Sequence, residues 1–450
     1  MATLTSFLNP FMLSSVNVAL PAIQKDLSLD AVQLGWVSTA YLLATAVTLV
    51  PAGKVADIHG RKKIFCLGLL VFTLASAMTV FAGSAVVLIA LRTFQGAGAA
   101  MTITTGTAIL ISVFPPSKRG RVMGIYVAAV YTGLSAGPFI GGFMTQYLGW
   151  HSLFLVMLPL GLVSIFITRR YLHGEWTDAR GDRLDLPGSL LYGAATLMFI
   201  YGATKLPAGW AWGLVTAAAV LMLAFVWYER RIATPVFDVS LFFTNRTFAF
   251  SGFAALIHYA ATFALTFLLS LYLQYLKGMS PRAAGTLLVL QPVVMALCSP
   301  VAGRVADRIE PRYLASAGMA ITALGLMGFA LISPETALML IGANLVLLGL
   351  GYGIFSSPNM SAIMGSVPRR QYGIAAGAAA TLRLIGQMLS MSAATLMLSL
   401  YLGSRPIEPG TYLLFLDSMK TVLQLFAGLC IVGIYFSMRR GKILEPERVK

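Results

Sequence analysis

The stretch PAGKVAD, at residues Pro51–Asp57, occurs again in the second half of the chain as PVAGRVAD, at residues Pro300–Asp307. Each copy ends a long apolar run and begins a short loop that carries basic residues. Self-similarity over such a separation indicates a chain built from two related halves. The repeat therefore predicts two similar helical bundles whose basic loops lie on the same side of a membrane.

The composition agrees with a membrane location. Of the 450 residues, 58% are apolar and 11% are charged, and the mean hydropathy is +0.81. Soluble domains carry about 25% charged residues, so the composition excludes both an ordinary soluble enzyme and a disordered chain. Cys66, Cys298 and Cys430 lie far apart in apolar stretches and predict neither a disulfide framework nor a metal site.

A bilayer core requires about 20 apolar residues per helix, and fourteen segments of the chain meet this requirement. The predicted spans are Leu4–Ile23, Val32–Ala56, Ile64–Gly83, Ala85–Phe114, Val122–Leu148, Leu153–Thr168, Leu186–Ala203, Ala211–Tyr228, Phe248–Leu276, Ala284–Ala306, Leu314–Ile332, Thr336–Pro358, Gly373–Leu402 and Tyr412–Met438. The first span has no positive leader and continues into Gln24-Lys25-Asp26, so it is interpreted as a retained helix.

The basic residues orient these spans. With the N-terminus in the cytoplasm, 23 of the 32 lysines and arginines fall in cytoplasmic segments and 6 fall in outer segments. The positive-inside rule requires this bias, which favours an even number of spans with both termini in the cytoplasm. The net charge of +16 is then a property of membrane topology, and nucleic acid is not expected as a partner.

The repeat assigns spans 1–6 and spans 9–14 to two parallel halves, with spans 7 and 8 inserted between them. The expected domains are an N-terminal six-helix bundle at 1–172, a cytoplasmic linker with the inserted helices at 173–245, a C-terminal six-helix bundle at 246–438 and a cytoplasmic tail at 439–450. The polar segment His173–Asp185 balances its charges and is expected to be a solvated linker. The fold class is an all-α polytopic membrane protein.

Four motifs lie in the first half. They are VNVALP at Val16–Pro21, GKVADIHGRKK at Gly53–Lys63, LRTFQGAGAA at Leu91–Ala100 and GLSAGPFIGG at Gly133–Gly142. Together they resemble the major facilitator superfamily, specifically its 14-helix drug:proton antiporter branch. The resemblance covers nearly the whole chain and implies the major facilitator fold in a bacterial or archaeal inner membrane.

The motif at Gly53–Lys63 is expected to control conformational gating. Asp57 lies at the cytoplasmic end of span 2, and the resemblance implies that it faces the positively polarised N-terminus of span 13 in one conformation only. The alternative is a cap that anchors the loop without switching. The gating residues are predicted to be Gly53, Asp57, Gly60, Arg61, Lys62, Gly303 and Asp307. The first copy is expected to dominate, because the second has Glu310 in place of Gly60 and a single Arg312 in place of the basic run.

Span 5 has small residues every four positions, at Gly133, Gly137 and Gly141, followed by Gly142. Small residues allow helix backbones to approach closely, while Pro138 removes a backbone hydrogen bond and bends the helix. The pattern predicts a tight helix crossing. The resemblance adds that this crossing seals the cavity and favours antiport over leak.

Two arginines, Arg92 in span 4 and Arg383 in span 13, have apolar neighbours on both sides. A charge at the bilayer centre costs about 2.5–3.5 kcal/mol, and such residues usually face a water-filled cavity. Both are therefore candidates for the substrate pathway, and the alternative is a structural hub bonded to carbonyls and glutamines. The full set of pathway candidates is Asn9, Asn17, Tyr41, Arg92, Gln95, Tyr126, Tyr131, His258, Tyr259, Gln291, Asn359, Arg383 and Gln387.

The chain departs from the family in its acidic residues. Met12 stands where the family has a helix-1 aspartate before the VNVALP motif, and no carboxylate lies in the middle of a predicted span. Buried carboxylates usually carry cation recognition and proton coupling, because burial raises their pKa. Their absence predicts a positive pocket for neutral or anionic lipophilic molecules. His258 is the remaining candidate for a coupled proton, with simple packing as the alternative.

The sequence thus predicts a secondary transporter: a proton-coupled exporter of lipophilic small molecules that works by alternating access. An uncoupled facilitator of the same fold is the alternative. Nothing in the chain matches a nucleophile–base pair, a metal motif or an ATP-binding loop, and the polar segment Arg169–Asp185 is too short for the output domain of a sensor. The expected partners are a small-molecule substrate, protons and the lipid bilayer, for a monomer that is not an enzyme and needs no cofactor.

Overall fold

The structure is a computed structural model that describes residues 1–177, 179, 181, 184–206, 208–232, 235–237, 239–306, 308–368 and 372–441. Within these ranges the chain is helical and contains no strand. The helices are α1 (Ala2–Leu27), α2 (Ala31–His59), α3 (Arg61–Thr79), α4 (Ala85–Val113), α5 (Pro116–Leu148), α6 (His151–Leu155), α7 (Met157–Tyr171), α8 (Leu186–Thr204), α9 (Gly209–Glu229), α10 (Ser240–Thr244), α11 (Arg246–Thr262), α12 (Ala264–Leu271), α13 (Pro281–Leu288), α14 (Leu290–Ala306), α15 (Pro311–Ala330), α16 (Leu338–Gly365), α17 (Tyr372–Leu402) and α18 (Tyr412–Arg439).

Thirteen helical segments in the described part of the chain are long and apolar enough to span a membrane. Each overlaps one of the fourteen predicted spans; α6 with α7, α11 with α12 and α13 with α14 each count as one segment. The predicted span Val122–Leu148 lies in α5, which is not among the thirteen. The prediction of a polytopic all-α protein is confirmed, and the count of fourteen stays a prediction.

Side-chain caps fix where several spans begin, because the first helical turn leaves backbone N–H groups without partners. At the start of α2, the Asp30 carboxylate accepts the Gln33 N–H at 2.7 Å, and the Gln33 side chain accepts the Asp30 N–H at 3.1 Å. At the start of α11, the Asn245 side chain accepts the Phe248 N–H at 2.9 Å. Both caps therefore stand directly before the apolar runs of α2 and α11.

The described helices belong to two compact units. The first comprises Met1–Phe237, Leu265–Val289 and Met391–Met419. In this unit α1 packs along α5, α4 contacts both α2 and α3, and α13 also packs against α5. The inserted helices α8 and α9 form a hairpin, and α8 contacts α2.

The second unit comprises Asp238–Ala264, Leu290–Ser390 and Lys420–Lys450. Here α16 contacts α11, α14 and α15, around a core formed by Ala254, Ala315, Met319 and Phe355. The domain boundaries expected from the sequence stay a prediction.

The internal repeat is visible in helix packing as well as in sequence. In the first unit a Cβ added to Gly98 of α4 would lie 2.7 Å from the Gly68 carbonyl oxygen of α3. In the second unit a Cβ added to Gly318 of α15 would lie 2.8 Å from the Gly351 carbonyl oxygen of α16. Both crossings are too close for any larger residue, so each half uses glycine to join the same pair of helices.

Candidate functional site

The loop motif, Gly53–Lys63, forms the end of α2, a turn at Gly60 and the start of α3. Gly60 has a φ of +117°, a conformation that favours glycine. Arg61 Nε donates to Asp57 Oδ1 at 2.8 Å, and Arg61 NH1 donates to Ser112 Oγ at 2.6 Å. The arginine therefore connects the Asp57 carboxylate to the end of α4.

Backbone hydrogen bonds attach the linker that follows α7 to this loop motif. The Arg61 N–H donates to the Trp176 carbonyl at 3.1 Å, and the Ala179 N–H donates to the Asp57 carbonyl at 3.1 Å. Because these bonds use main-chain groups, they hold the linker in place whatever its side chains are.

Lys62 makes two further contacts with the same linker. Its N–H donates to Glu175 Oε1 at 2.7 Å, and its Nζ donates to the Leu172 carbonyl at 2.5 Å. A Cβ at Gly60 would lie 2.5 Å from the Glu175 carboxyl carbon, so the glutamate fills the space that this glycine leaves. The linker is thus attached to the loop motif while His173, Gly174 and Glu175 stay exposed, and the expectation of a solvated linker over His173–Asp185 stays a prediction.

The second copy of the motif has the same glycine position. A Cβ at Gly53 in α2 would lie 3.0 Å from Thr104 Cγ2 in α4, and a Cβ at Gly303 in α14 would lie 2.7 Å from Ser357 Oγ in α16. Asp307 lies outside the described residues. The two glycines thus have equivalent neighbours, while the gating role of either loop stays a prediction.

Arg92 is fully buried in α4 and contacts only uncharged groups. Its Nε donates to the Val37 carbonyl at 3.1 Å, its NH1 donates to Gln95 Oε1, and its Cζ lies 4.5 Å from the centre of the Tyr41 ring. Gln95 in turn donates to Ser76 Oγ at 2.7 Å. Arg92 NH2 has no hydrogen-bond partner among the described residues. Three predicted pathway residues, Tyr41, Arg92 and Gln95, thus form one group, which we call the arginine cluster.

Polar residues of α1 pair with the neighbouring helices. Asn9 Nδ2 donates to Thr102 Oγ1 of α4 at 3.0 Å, and Asn17 Oδ1 accepts from Ser38 Oγ of α2 at 2.9 Å. Met12, between the two asparagines, is 0% exposed. The position of the family's helix-1 aspartate is therefore filled by a packed apolar side chain.

The glycine stripe of α5 faces α1. A Cβ at these positions would overlap atoms of α1, which for Gly133, Gly137 and Gly141 in order belong to Phe7, Ser14 and Ser15. Ser15 Oγ also donates to the Gly137 carbonyl at 3.1 Å. The two helices run parallel, since residue numbers increase in the same direction along both, and the tight crossing expected from the sequence lies between them.

The remaining motif residues of α5 face α13 instead. A Cβ at Gly142 would overlap the Pro281 carbonyl oxygen, and a Cβ at Gly285 would overlap the Pro138 carbonyl oxygen. Arg282 NH1 donates to Tyr147 Oη at 2.9 Å at the same end of α5. The motif of α5 therefore packs against two helices of the first unit, α1 and α13. The sequence predicted a single tight crossing and not the contact with α13.

His258 of α11 lies in an aromatic cluster and is 1% exposed. Its ring stacks on Phe355 with centroids 4.0 Å apart, and it meets Tyr352 edge-on at 5.0 Å. Its Nδ1 has no hydrogen-bond partner within the described ranges. These contacts support the packing alternative, and a role for His258 in proton coupling stays a prediction.

The other predicted pathway residues differ in burial. Tyr126, Gln291 and Gln387 are buried, whereas Tyr131, Tyr259 and Arg383 are half-buried. Arg383 is thus less buried than Arg92, and its place in the substrate pathway stays a prediction.

Arg440 is the buried cation that sequence reasoning missed, because it follows exposed Arg439 in an ordinary basic tail. It is 1% exposed, and its NH1 donates to Asn359 Oδ1 at 2.9 Å and to Ser251 Oγ at 3.3 Å. Burial lowers the pKa of Arg440 to about 10, against the opposing effect of the Glu310 carboxylate. Asn359, predicted to line the pathway, is thus a partner of this arginine.

Asp185 and Glu229 are the only buried carboxylates among the described residues, with exposures of 4% and 3%. Both stand at helix ends, so they do not contradict the prediction that no carboxylate lies in the middle of a span, but the sequence did not predict their burial. The same part of the chain contains no group of three or more His, Cys, Asp or Glu side chains that could hold a metal ion.

Comparison with known proteins finds relatives over most of the chain. The family model described as Major Facilitator Superfamily matches residues 2–391. The riboflavin transporter RibZ of Clostridioides difficile (strain 630) is 32% identical over 375 residues, which cover 82% of this chain and 81% of the relative. The multidrug resistance protein Stp of Mycobacterium tuberculosis (strain CDC 1551 / Oshkosh) is 33% identical over 403 residues, which cover 88% and 74%. The crystal structure of a D-xylose-proton symporter matches with a TM-score of 0.70 at 12% identity, covering 98% and 97%, which is evidence for the fold alone.

Proposed function

Because the chain belongs to the major facilitator superfamily, we propose that it exports lipophilic small molecules in exchange for protons, by alternating access. The family consists of membrane transporters of small molecules and not of enzymes. Export is supported by relatives such as Stp, whose name describes multidrug resistance. The riboflavin transporter relative supports a flat aromatic molecule as one type of substrate.

The observation that carries the substrate class is the arginine cluster. The charge of Arg92 has no counter-ion among the described residues, and its NH2 has no acceptor there. A buried cation without a counter-ion attracts anions and lone-pair acceptors and repels other cations. The two buried carboxylates lie at the ends of α8 and α9, the helices that the sequence predicts to be inserted between the two halves. The proposed substrates are therefore neutral or anionic.

Liposomes that contain the purified protein and a pH-sensitive dye test this proposal. With an acidic lumen, an exchanger takes up external substrate while protons leave, so the dye should report alkalinisation. Riboflavin as the neutral compound and an aromatic sulfonate as the anion should each give this signal, and ethidium as the cation should not. A signal from ethidium alone would overturn the proposed substrate class.

The second candidate is an uncoupled facilitator, and the packing of Met12 favours it. The family's helix-1 position for a carboxylate is filled by a thioether that is 0% exposed and cannot titrate. In the same liposomes a facilitator would transport riboflavin or the sulfonate down its gradient with no change in dye signal. That result would reject proton exchange and retain the substrate class.

A further inference from the structure

The carboxyl pair, Asp185 and Glu229, joins the two helices of the inserted hairpin. Asp185 is the N-cap of α8, and Glu229 is the last residue of α9. A Cβ at Gly188 would overlap both Asp185 Oδ2 and Glu229 Oε1, so these two oxygens meet over the first turn of α8. The two carboxyl groups therefore lie beside the same backbone position, at the end of the hairpin where α8 begins and α9 ends.

One oxygen of each carboxyl group accepts hydrogen bonds from neutral donors. Asp185 Oδ1 accepts the Gly188 N–H at 3.0 Å and the Tyr228 O–H at 3.1 Å, and Glu229 Oε2 accepts the Phe237 N–H at 3.1 Å. The other two oxygens, Oδ2 and Oε1, are buried and have no donor anywhere in the described chain. All the donors bind Asp185 Oδ1 or Glu229 Oε2, so the facing oxygens Oδ2 and Oε1 receive no hydrogen bond.

No cation among the described residues donates to the facing oxygens of the pair. Within the ranges that the structure describes, the titratable and charged side chains near this end of the hairpin, on α2, α8, α9 and the chain after α9, are Lys54, Asp57, His59, Tyr192, Tyr228, Arg230 and Arg231. Among them, Asp57 binds Arg61, Tyr192 donates to the Ala46 carbonyl, and Arg231 lies over the Trp227 ring at 4.0 Å. Neither Lys54 nor Arg230 donates to the two facing oxygens.

Two ionised carboxylates in this arrangement would repel each other and leave both facing oxygens without a donor. Like charges that share a buried site retain a proton. We propose that Asp185 and Glu229 form a proton-binding site, in which one proton taken from the cytoplasmic solution lies between Asp185 Oδ2 and Glu229 Oε1. The site lies in the hairpin of α8 and α9 and is independent of the proposed substrate.

The shared proton makes the hairpin sensitive to pH. The folded pair binds its proton more tightly than the two separate carboxyls of the unfolded chain, so the folded state holds more protons at near-neutral pH. Stability must then fall as the pH rises, until the pair has lost its proton. The shared proton thus stabilises the contact between α8 and α9 at neutral pH, and alkalinisation weakens this contact.

Infrared spectroscopy of the purified full-length protein tests the proton directly. At neutral pH the parent should show the C=O band of a protonated carboxyl, and both Asp185→Asn and Glu229→Gln should lose the equivalent of one such group per chain. Asn keeps the N-cap of α8, and either amide can donate to the facing oxygen, so both variants should fold. Glu335→Gln, which removes an exposed carboxylate, is the control and should keep the band. A band that survives in both variants overturns the proposal.

The melting temperature gives a second, independent measurement. In the parent and in Glu335→Gln it should fall between pH 6 and pH 9, whereas in Glu229→Gln this component of the fall should be lost, because the amide replaces the shared proton at every pH. An unchanged pH dependence in Glu229→Gln would contradict the proposal even if that variant were fully folded.

Discussion

Arg92 keeps a charge inside the membrane by contacts with neutral groups alone. The Val37 carbonyl, the Gln95 amide oxygen and the face of the Tyr41 ring together surround most of the guanidinium. Arginine suits this role because its planar group stacks on a ring and holds five N–H donors in a fixed geometry, whereas the lysine ammonium is a compact point charge with no flat face. The charge and the shape of the group can therefore be tested separately.

Replacing Arg92 should slow transport, and two replacements separate the effect of its charge from that of its shape. Arg92→Gln removes the charge, and we expect the initial rate in liposomes to fall at least about tenfold, the equivalent of ~1.4 kcal/mol of lost interaction. Arg92→Lys keeps the charge without the ring stacking and should retain an intermediate rate. The measurement is the substrate flux per mole of inserted protein.

The control is Thr93→Ala, which changes an exposed side chain at the next position of α4. It should transport at the parent rate. If Arg92→Gln also transported at that rate in a folded protein, the arginine would be a structural hub and the substrate argument would fail.

At the level of single residues, the sequence predicts burial where one charge interrupts an apolar run, as Arg92 does. It does not predict the burial of Asp185, Glu229 or Arg440, because each stands at the end of a helix beside other polar residues. Their burial depends on the chain that folds over them, such as the Phe237 N–H that reaches Glu229. The spacing of residues along the sequence does not show which segment will cover a helix end.

At the level of helices, the close contact of α5 with α1 requires glycine, which has no side chain, at the contact positions of α5. A Cβ at Gly137 would overlap Ser14 Oγ, lie 2.8 Å from Ser14 Cβ and lie 3.0 Å from the Phe11 carbonyl oxygen. The sequence predicted this stripe from its four-residue period. It did not predict that Gly142 and Pro138 meet α13, because a period identifies a face of a helix but not the neighbour of that face.

Gly137→Ala should therefore destabilise the protein by about 1–3 kcal/mol, the usual effect of overpacking. Thermal unfolding in detergent measures the loss. Ser14→Gly removes the overlapping atoms of α1, and the double variant should recover part of the stability. The recovery must be partial, because the Phe11 carbonyl remains close.

Gly428→Ala is the matched control in α18, where an added Cβ has no atom within 4 Å. It should be neutral or slightly stabilising, because alanine favours a helix over glycine by about 1 kcal/mol. A loss in Gly428→Ala equal to that in Gly137→Ala would show that any glycine substitution harms the protein, and the contact with α1 would not be the cause.

At the level of the whole molecule, the number of crossings depends on α5. The helix has 33 residues, a length of about 50 Å at 1.5 Å per residue, which exceeds the ~30 Å of a bilayer core. It lies parallel to α1 from Gly133 beside Phe7 to Gly141 beside Ser15. Since α1 is a membrane span, a helix packed along it in the same direction crosses the same bilayer.

We therefore expect fourteen crossings, with both termini in the cytoplasm as the basic residues require. Alkaline phosphatase, which is active only outside the cytoplasm, should be active when fused after Gly149 and inactive when fused after Phe114, because only a crossing by α5 places these two positions on opposite sides. Green fluorescent protein fused after Arg440 should fluoresce, because an even number of crossings returns the chain to the cytoplasm. Phosphatase activity after Arg440 together with none after Gly149 would mean thirteen crossings. In that case α5 would not enter the bilayer, and the glycine contacts with α1 could not seal a membrane cavity.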